Sequence, residues 1–285
     1  MATVPRDMTA EALAQAYATH RSQTVERWRD GNSVQAIDQI AEEVPVAMIY
    51  NGISHAVMLA TPHDLADFGL GFSLSEGILA DRSELYDLEC LPRSEGIELH
   101  MTISQERFVA LKQRRRNLAG RTGCGLCGTE SLQQVRRPHP PLTSRQTFTA
   151  GALHAAMQQL PALQQVQSVT GAVHAAAWAD AGGRLLCLSE DIGRHNALDK
   201  LIGRIARDNG DFSAGFAIVT SRASYEMVQK SVALGIPLLV AVSAPTTLAI
   251  ELANEAGLTL VGFARNGSHV VYATPYRLNA TREIG

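Results

Sequence analysis

Cysteine is scarce in this chain: four in 285 residues, too few to staple a protein of this length, so disulfides are not expected to hold the fold. Long apolar runs are missing too. The stretch from Gly235 to Ile250 is broken by Pro237 and Pro245, and nothing approaches the ~18 uninterrupted apolar residues of a membrane span. Charge of one sign is not in excess. A net charge of −3 gives no global reason to expect nucleic acid or a membrane surface as partner. Met1–Asp30 lacks a basic start followed by an apolar stretch, so no secretory signal is read and a cytoplasmic location is expected. Internal repeats and low-complexity segments are absent.

What is there is the composition of a globular protein, 46% apolar and 19% charged, long enough for two domains. Residues 1–32 read as an N-terminal tail or helix. Residues 33–120 read as a small α+β domain. Val44–Tyr50 and Ile53–Ala60 flank Asn51-Gly52, a strong hairpin signal. Thr61-Pro62 reads as N-cap and first residue of a helix. Ile97–Ile103 alternates as a strand, and Gln105–Leu118 reads as a basic helix. Residues 121–141 form a Gly- and Pro-bounded loop. From 142 to 285 helices and strands alternate. Strands such as Leu238–Val242 are apolar on both faces, as expected where helices cover both sides of a sheet. The fold class expected is α/β: a small N-terminal α+β domain followed by a three-layer α/β/α domain.

The loop Arg121-Thr122-Gly123-Cys124-Gly125-Leu126-Cys127-Gly128 holds the most chemistry. Two cysteines three apart suit a redox pair, half of a metal site or a sulfur relay. Between Gln105 and Pro140 stand eight Lys/Arg against two Glu. Such a positive potential favours thiolate over thiol and attracts anions; Arg114–Arg116 taken alone reads rather as the solvated face of a helix, and beside the thiol loop the two readings stand even. A structural zinc site needs four ligands, and no second C-x-x-C exists. A thioredoxin-type motif opens a helix after a strand, and this one lies in a loop. Cys90 and Cys187 read as small buried hydrophobes.

Further blocks make the chain recognisable. With Arg121–Gly128 stand Glu190–Lys200 (EDIGRHNALDK), Arg222–Val228 (RASYEMV), Ser243–Thr246 (SAPT) and Gly262–Arg265 (GFAR). Together they resemble the formate dehydrogenase accessory sulfurtransferase family. That resemblance implies a sulfur carrier, with Cys124 as persulfide carrier and Cys127 relaying sulfur or resolving the persulfide. It implies a cysteine desulfurase as donor and molybdenum bis(molybdopterin guanine dinucleotide) as the bound substrate, with no structural metal. Formate dehydrogenase would be the client, and a homodimer the assembly. It places the cofactor pocket at Phe263-Ala264-Arg265-Asn266-Gly267-Ser268. There Arg265 suits phosphate or base and Asn266-Gly267 turns backbone N–H groups outward; from residues alone the same segment reads as a plain hairpin turn.

Asp191–Asn196 joins a strand to a helix, a frequent place for ligand contacts in α/β sheets. His195 there is either a ligand or a histidine that pins the loop. Arg222 is a candidate phosphate contact, and Ser221 replaces a glycine usual in the family. The family's α/β unit resembles the cytidine deaminase fold, which makes a deaminase the rival enzyme. Zinc deaminases need H-x-E and P-C-x-x-C, whereas this chain has His174-Ala175-Ala176 and Pro245-Thr246-Thr247. A non-catalytic cofactor-binding chaperone is the other alternative.

Overall fold

A computed structural model describes residues 18–116, 140–265 and 267–280. Cys124, Cys127 and Asn266 lie outside them, as do the rest of the 121–128 block and residues 1–17.

The first described elements are strands, β1 (His20–Arg29) and β2 (Asn32–Ala41), paired antiparallel. Asp30 and Gly31 between them take φ of 50° and 80°, the two positive values that a tight hairpin turn needs. This corrects the expectation of a tail or helix over residues 1–32 for the part that is described. The charges of Arg21, Glu26 and Arg29 masked an Asp-Gly turn flanked by Thr, Val and Trp, residues that favour extended chain.

A four-stranded sheet follows in the order β4-β3-β6-β5. It is built from β3 (Val44–Tyr50), β4 (Ile53–Ala60), β5 (Leu85–Arg93) and β6 (Gly96–Ile103). The Asn51-Gly52 turn takes positive φ at both residues, as the sequence requires. Helix α1 (Leu65–Ser75) starts later than expected, with Asp64 at its N-cap. Thr61 is fully buried and serves a different loop. Its amide donates to Asp191 Oδ2 at 3.0 Å, and its hydroxyl accepts from the amide of Ile192 at 3.1 Å. Helix α2 (Gln105–Arg116) closes this part.

The larger sheet has six strands in the order β13-β12-β11-β10-β8-β9: β8 (His174–Asp180), β9 (Leu185–Asp191), β10 (Gly215–Val219), β11 (Leu238–Ala241), β12 (Thr259–Arg265) and β13 (Ser268–Ala273). The central strands β10, β11 and β12 run parallel, and the outer pairings are antiparallel. Side chains alternate across the pleat. Ala176, Ala217, Leu239 and Leu260 face one apolar cluster, while Ala177, Phe216, Leu238 and Val261 face another. The first cluster contains α5 (Arg194–Arg207), α6 (Tyr225–Ala233) and α7 (Thr247–Ala256); the second contains α3 (Ala150–Leu163). Helices therefore cover both faces, and period-two burial on each side explains why these strands carry so few polar residues. Short α4 (Gln165–Thr170) was not foreseen; neither were β5 or the parallel pair β7 (Phe148–Thr149) and β14 (Leu278–Asn279).

Two sheets do not make two cores. The larger cluster holds Tyr50 and Leu99 of the small sheet together with Leu198 and Leu239 of the large one. Helix α1 is the join. It is apolar nearly all round and buried along almost its whole length, as a helix must be when covered on every side. Gly69 faces Leu88 and Met101, and Gly71 faces the backbone of Asp199 and Gly203 on α5. Among the described residues no helix is long and apolar enough to cross a membrane.

Candidate functional site

Strand direction decides what can meet at the edge of the large sheet. The parallel strands β10, β11 and β12 all end at the same edge. Because β8 is antiparallel to β10, and β9 to β8, the start of β8 and the end of β9 reach that edge as well. In register, His174 pairs with Asp191. Four of the blocks that carry the family resemblance are thereby collected: Glu190–Lys200, Arg222–Val228, Ser243–Thr246 and Gly262–Arg265. Ligands in open α/β sheets bind outside the carboxyl ends of strands for this reason.

At the β12 end, Phe263 stands 37% exposed with φ of 50°. A bulky residue in the left-handed region is a genuine backbone outlier, worth about 1–3 kcal/mol, and such outliers cluster at functional sites. It sits in a bulge, where pairing with β13 shifts between Gly262 and Arg265. Its amide donates to the Ser243 carbonyl at 3.3 Å. Gly262 permits this approach, since a Cβ there would lie 3.0 Å from Pro245 Cδ and Tyr272 Cε2. Arg265 is exposed and pairs with exposed Ser268, Gly267 takes φ of 73°, and Ala264 is buried. Of the six residues named for this pocket, then, Phe263, Arg265, Gly267 and Ser268 are open at the surface, Ala264 packs inward, and Asn266 lies outside the described residues. His269, which the sequence did not single out, is 2.9 Å from His154 of α3. Burial, then His154, holds His269 below its ordinary pKa.

At the β9 end the motif Glu190–Lys200 divides into structural and open residues. Glu190 accepts from the amides of Val166 and Gln167 at 2.8 Å, at the start of α4. Asp191 is wholly buried; it accepts from Gly193 N at 2.8 Å and Asn196 Nδ2 at 2.9 Å, besides Thr61 N. Asn196 Nδ2 also donates to the Leu59 carbonyl and Lys200 Nζ to the Thr61 carbonyl. Asp191, Asn196 and Lys200 clamp the small sheet to the large one and are spent on that task. The sequence pointed to Asp191–Asn196 as a place for ligand contacts; Asp191 and Asn196 are committed to the joint, and Arg194 and His195 are the charged side chains of that segment left beside it.

His195 Nε2 lies 2.8 Å from Glu226 Oε2. The imidazole holds the Glu226 carboxyl below its ordinary pKa against the opposing effect of burial. His174 is held below its ordinary value by burial, then by Arg194 and His195, while Asp191 acts the other way. Arg222 is exposed, and Ser221 is buried with its hydroxyl donating to the Arg222 carbonyl at 3.0 Å. Glu226, His174 and Ser224 went unassigned from sequence. The signal was their placement at strand–helix joints, visible only once strand order is known. Cys90 is buried and Cys187 partly so, and burial pushes both thiols up to about 11.

Residues 41–279 match the model of the FdhD/NarQ family. A protein of Cupriavidus necator named sulfur carrier protein FdhD is 57% identical over 260 residues, 91% of this chain and 90% of that protein. One of the same name from Variovorax paradoxus is 56% identical, covering 88% and 91%. Among solved structures, a chain from Desulfotalea psychrophila named as a formate dehydrogenase accessory protein superposes with a TM-score of 0.72. Its identity is 22%, over 92% of this chain and all of that one; at that identity the likeness speaks for the fold alone.

Proposed function

Because this chain belongs to the FdhD/NarQ family, we propose that it is a sulfur carrier serving formate dehydrogenase, with Cys124 as the persulfide-bearing nucleophile. Relatives above 50% identity carry the name sulfur carrier protein, which supports the general role. The finer reading rests on chemistry. The thiolate of Cys124 attacks the outer sulfur of a desulfurase persulfide and forms a new S–S bond, and the desulfurase thiolate leaves. Attack by Cys127 on the inner sulfur of Cys124 then releases hydrosulfide and leaves a disulfide, which a dithiol reductant must reopen. Glycines on both sides of Cys124 and the surrounding arginines suit an accessible, ionised thiol. Cys90 and Cys187, with thiols pushed up to about 11, are poor competitors near neutral pH.

The acceptor in this reading is molybdenum bis(molybdopterin guanine dinucleotide), a bulky anion. The observation that carries its placement is Phe263, an exposed ring on left-handed backbone beside Arg265. An aromatic face for a purine next to a guanidinium for phosphate is what such a ligand needs. The layer formed by residues 142–285 would be the cofactor-binding unit, in a homodimer acting in the cytoplasm.

Incubation with a cysteine desulfurase and sulfur-labelled cysteine tests the first step. One added sulfur on the Cys124 peptide, lost in Cys124→Ala together with maturation of formate dehydrogenase, is expected. Full maturation by Cys124→Ala would instead favour a non-catalytic cofactor chaperone.

A further inference from the structure

Helix α3 and strand β13 bring together two histidines that no local pattern joins. His154 belongs to α3 and His269 to β13, an outer strand of the large sheet. His154 Nε2 lies 2.9 Å from His269 Nδ1, and the rings stand edge to face with centroids 5.0 Å apart. Both residues are partly buried, so water reaches the pair while helix and strand hold its spacing. Burial, then His154, keeps His269 below its ordinary pKa; near pH 7 its imidazole is neutral and offers a lone pair. A hydrogen bond between two neutral rings uses one proton and one lone pair. The same two nitrogens can hold an ion instead, and their separation selects its geometry. Metal–imidazole bonds of about 2.0–2.1 Å across a gap of 2.9 Å set the N–metal–N angle at about 90°. Neighbouring ligands in the tetragonal sites of Cu(II) and Ni(II) subtend that angle, whereas a tetrahedral zinc site needs nitrogens about 3.3 Å apart.

We propose that His154 and His269 are the two protein ligands of an exchangeable tetragonal ion, Cu(II) or Ni(II), with water completing its coordination. Binding turns each ring nitrogen about 45° off the line that joins the pair, along the broad ring torsion of histidine. The bridging proton moves to the outer nitrogen of its own ring. Both imidazoles thus stay neutral, and the ion exchanges two waters for two nitrogens. Among the described residues no group of three or more His, Cys, Asp or Glu is placed to hold a metal, so the site carries no carboxylate or thiolate. That separates it from a closed structural zinc centre and leaves imidazole and water, a ligand set suited to copper and nickel. The ion would link β13 to α3 directly after Ser268, whether or not a cofactor occupies the neighbouring segment.

The test is calorimetric titration of the full chain with nickel chloride, in a parent carrying Cys124→Ser and Cys127→Ser so that the thiol pair does not compete. Saturable binding is expected, weakened about tenfold or more when His154→Gln or His269→Gln removes one of the two ligands. Zinc chloride should bind more weakly than nickel. His100→Gln, at a histidine that pairs with Glu98 in the small sheet, should bind as the parent does. The paramagnetic resonance spectrum of the copper-loaded parent needs no substitution at the pair, and it should show coupling to two imidazole nitrogens. No binding by the parent, undiminished affinity in either pair variant, an equal loss in His100→Gln, zinc bound more tightly than nickel, or a copper spectrum without the two nitrogens would overturn the site. Each of these results is independent of sulfur labelling at Cys124, so this reading and the sulfur-carrier reading fail separately.

Discussion

The ammonium of Lys200 lies 2.7 Å from Asp191 Oδ2, and neither side chain reaches solvent. The same carboxylate accepts from Thr61, Gly193 and Asn196, so a single buried charge ties the end of β4, the end of β9 and the start of α5 together. Lys200→Met would leave that carboxylate unpaired in the interior. A loss of about 3–5 kcal/mol in equilibrium unfolding is expected. A loss under about 1 kcal/mol would mean the pair is not what holds the joint.

Helices α1 and α5 touch through glycine. A Cβ on Gly71 would collide with the Asp199 carbonyl oxygen, and one on Gly203 with the Asp67 carbonyl oxygen. These neighbours are backbone and cannot rotate away. Gly71→Ala and Gly203→Ala should each destabilise the chain by about 2–3 kcal/mol or more, read from the denaturant midpoint at unchanged slope. Alanine ordinarily stabilises a helix relative to glycine, so a gain in either variant would refute the close approach.

His63 gives stability a pH dependence. Burial, then Lys200, lowers its pKa from 6.5 to about 4, against the pull of Asp64 and Asp191. The folded state thus prefers the neutral ring. Its contribution is complete above pH 6.5 and is lost as pH falls towards 4, by up to about 3 kcal/mol. Asp67 works in the opposite sense: burial raises it to about 6, so its contribution is present below 3.8 and lost as pH rises through 6. The difference between parent and His63→Gln isolates the histidine. Unfolding free energies at pH 7 and pH 5 should fall less in the variant, and parallel slopes would dispose of the assignment.

Phe263 separates a binding role from a packing role. Glycine at this position relieves the left-handed backbone but adds unfolded-state entropy, so Phe263→Gly should change stability by less than about 1 kcal/mol. Affinity for guanosine diphosphate should drop about tenfold, the value of one base–aromatic stack. A core phenylalanine would instead cost about 3–5 kcal/mol on truncation, with no selective effect on the nucleotide.

Much of this was readable in the chain before folding. Leu238–Ala241 had to be a strand buried on two faces because nothing polar interrupts it, and Asn51-Gly52 had to turn because both positions tolerate positive φ. The Asp30-Gly31 hairpin was equally legible but hidden by neighbouring charge. Local patterns fix what the backbone does over a few residues, and sequence alone could place Cys124 and Cys127 in a glycine-rich basic segment. Which side chains remain free to act is a different matter. Asp191, Asn196 and Lys200 share one motif with Arg194 and His195, yet the first three are consumed at a joint with Thr61 and Leu59, 130 or more positions away. Only the packing of α1 on α5, and the strand order that brings β9 beside β8, sorts the motif into its structural half and its open half. Burial and pairing are set by the partners that tertiary contacts supply, and those partners have no signature in the local sequence.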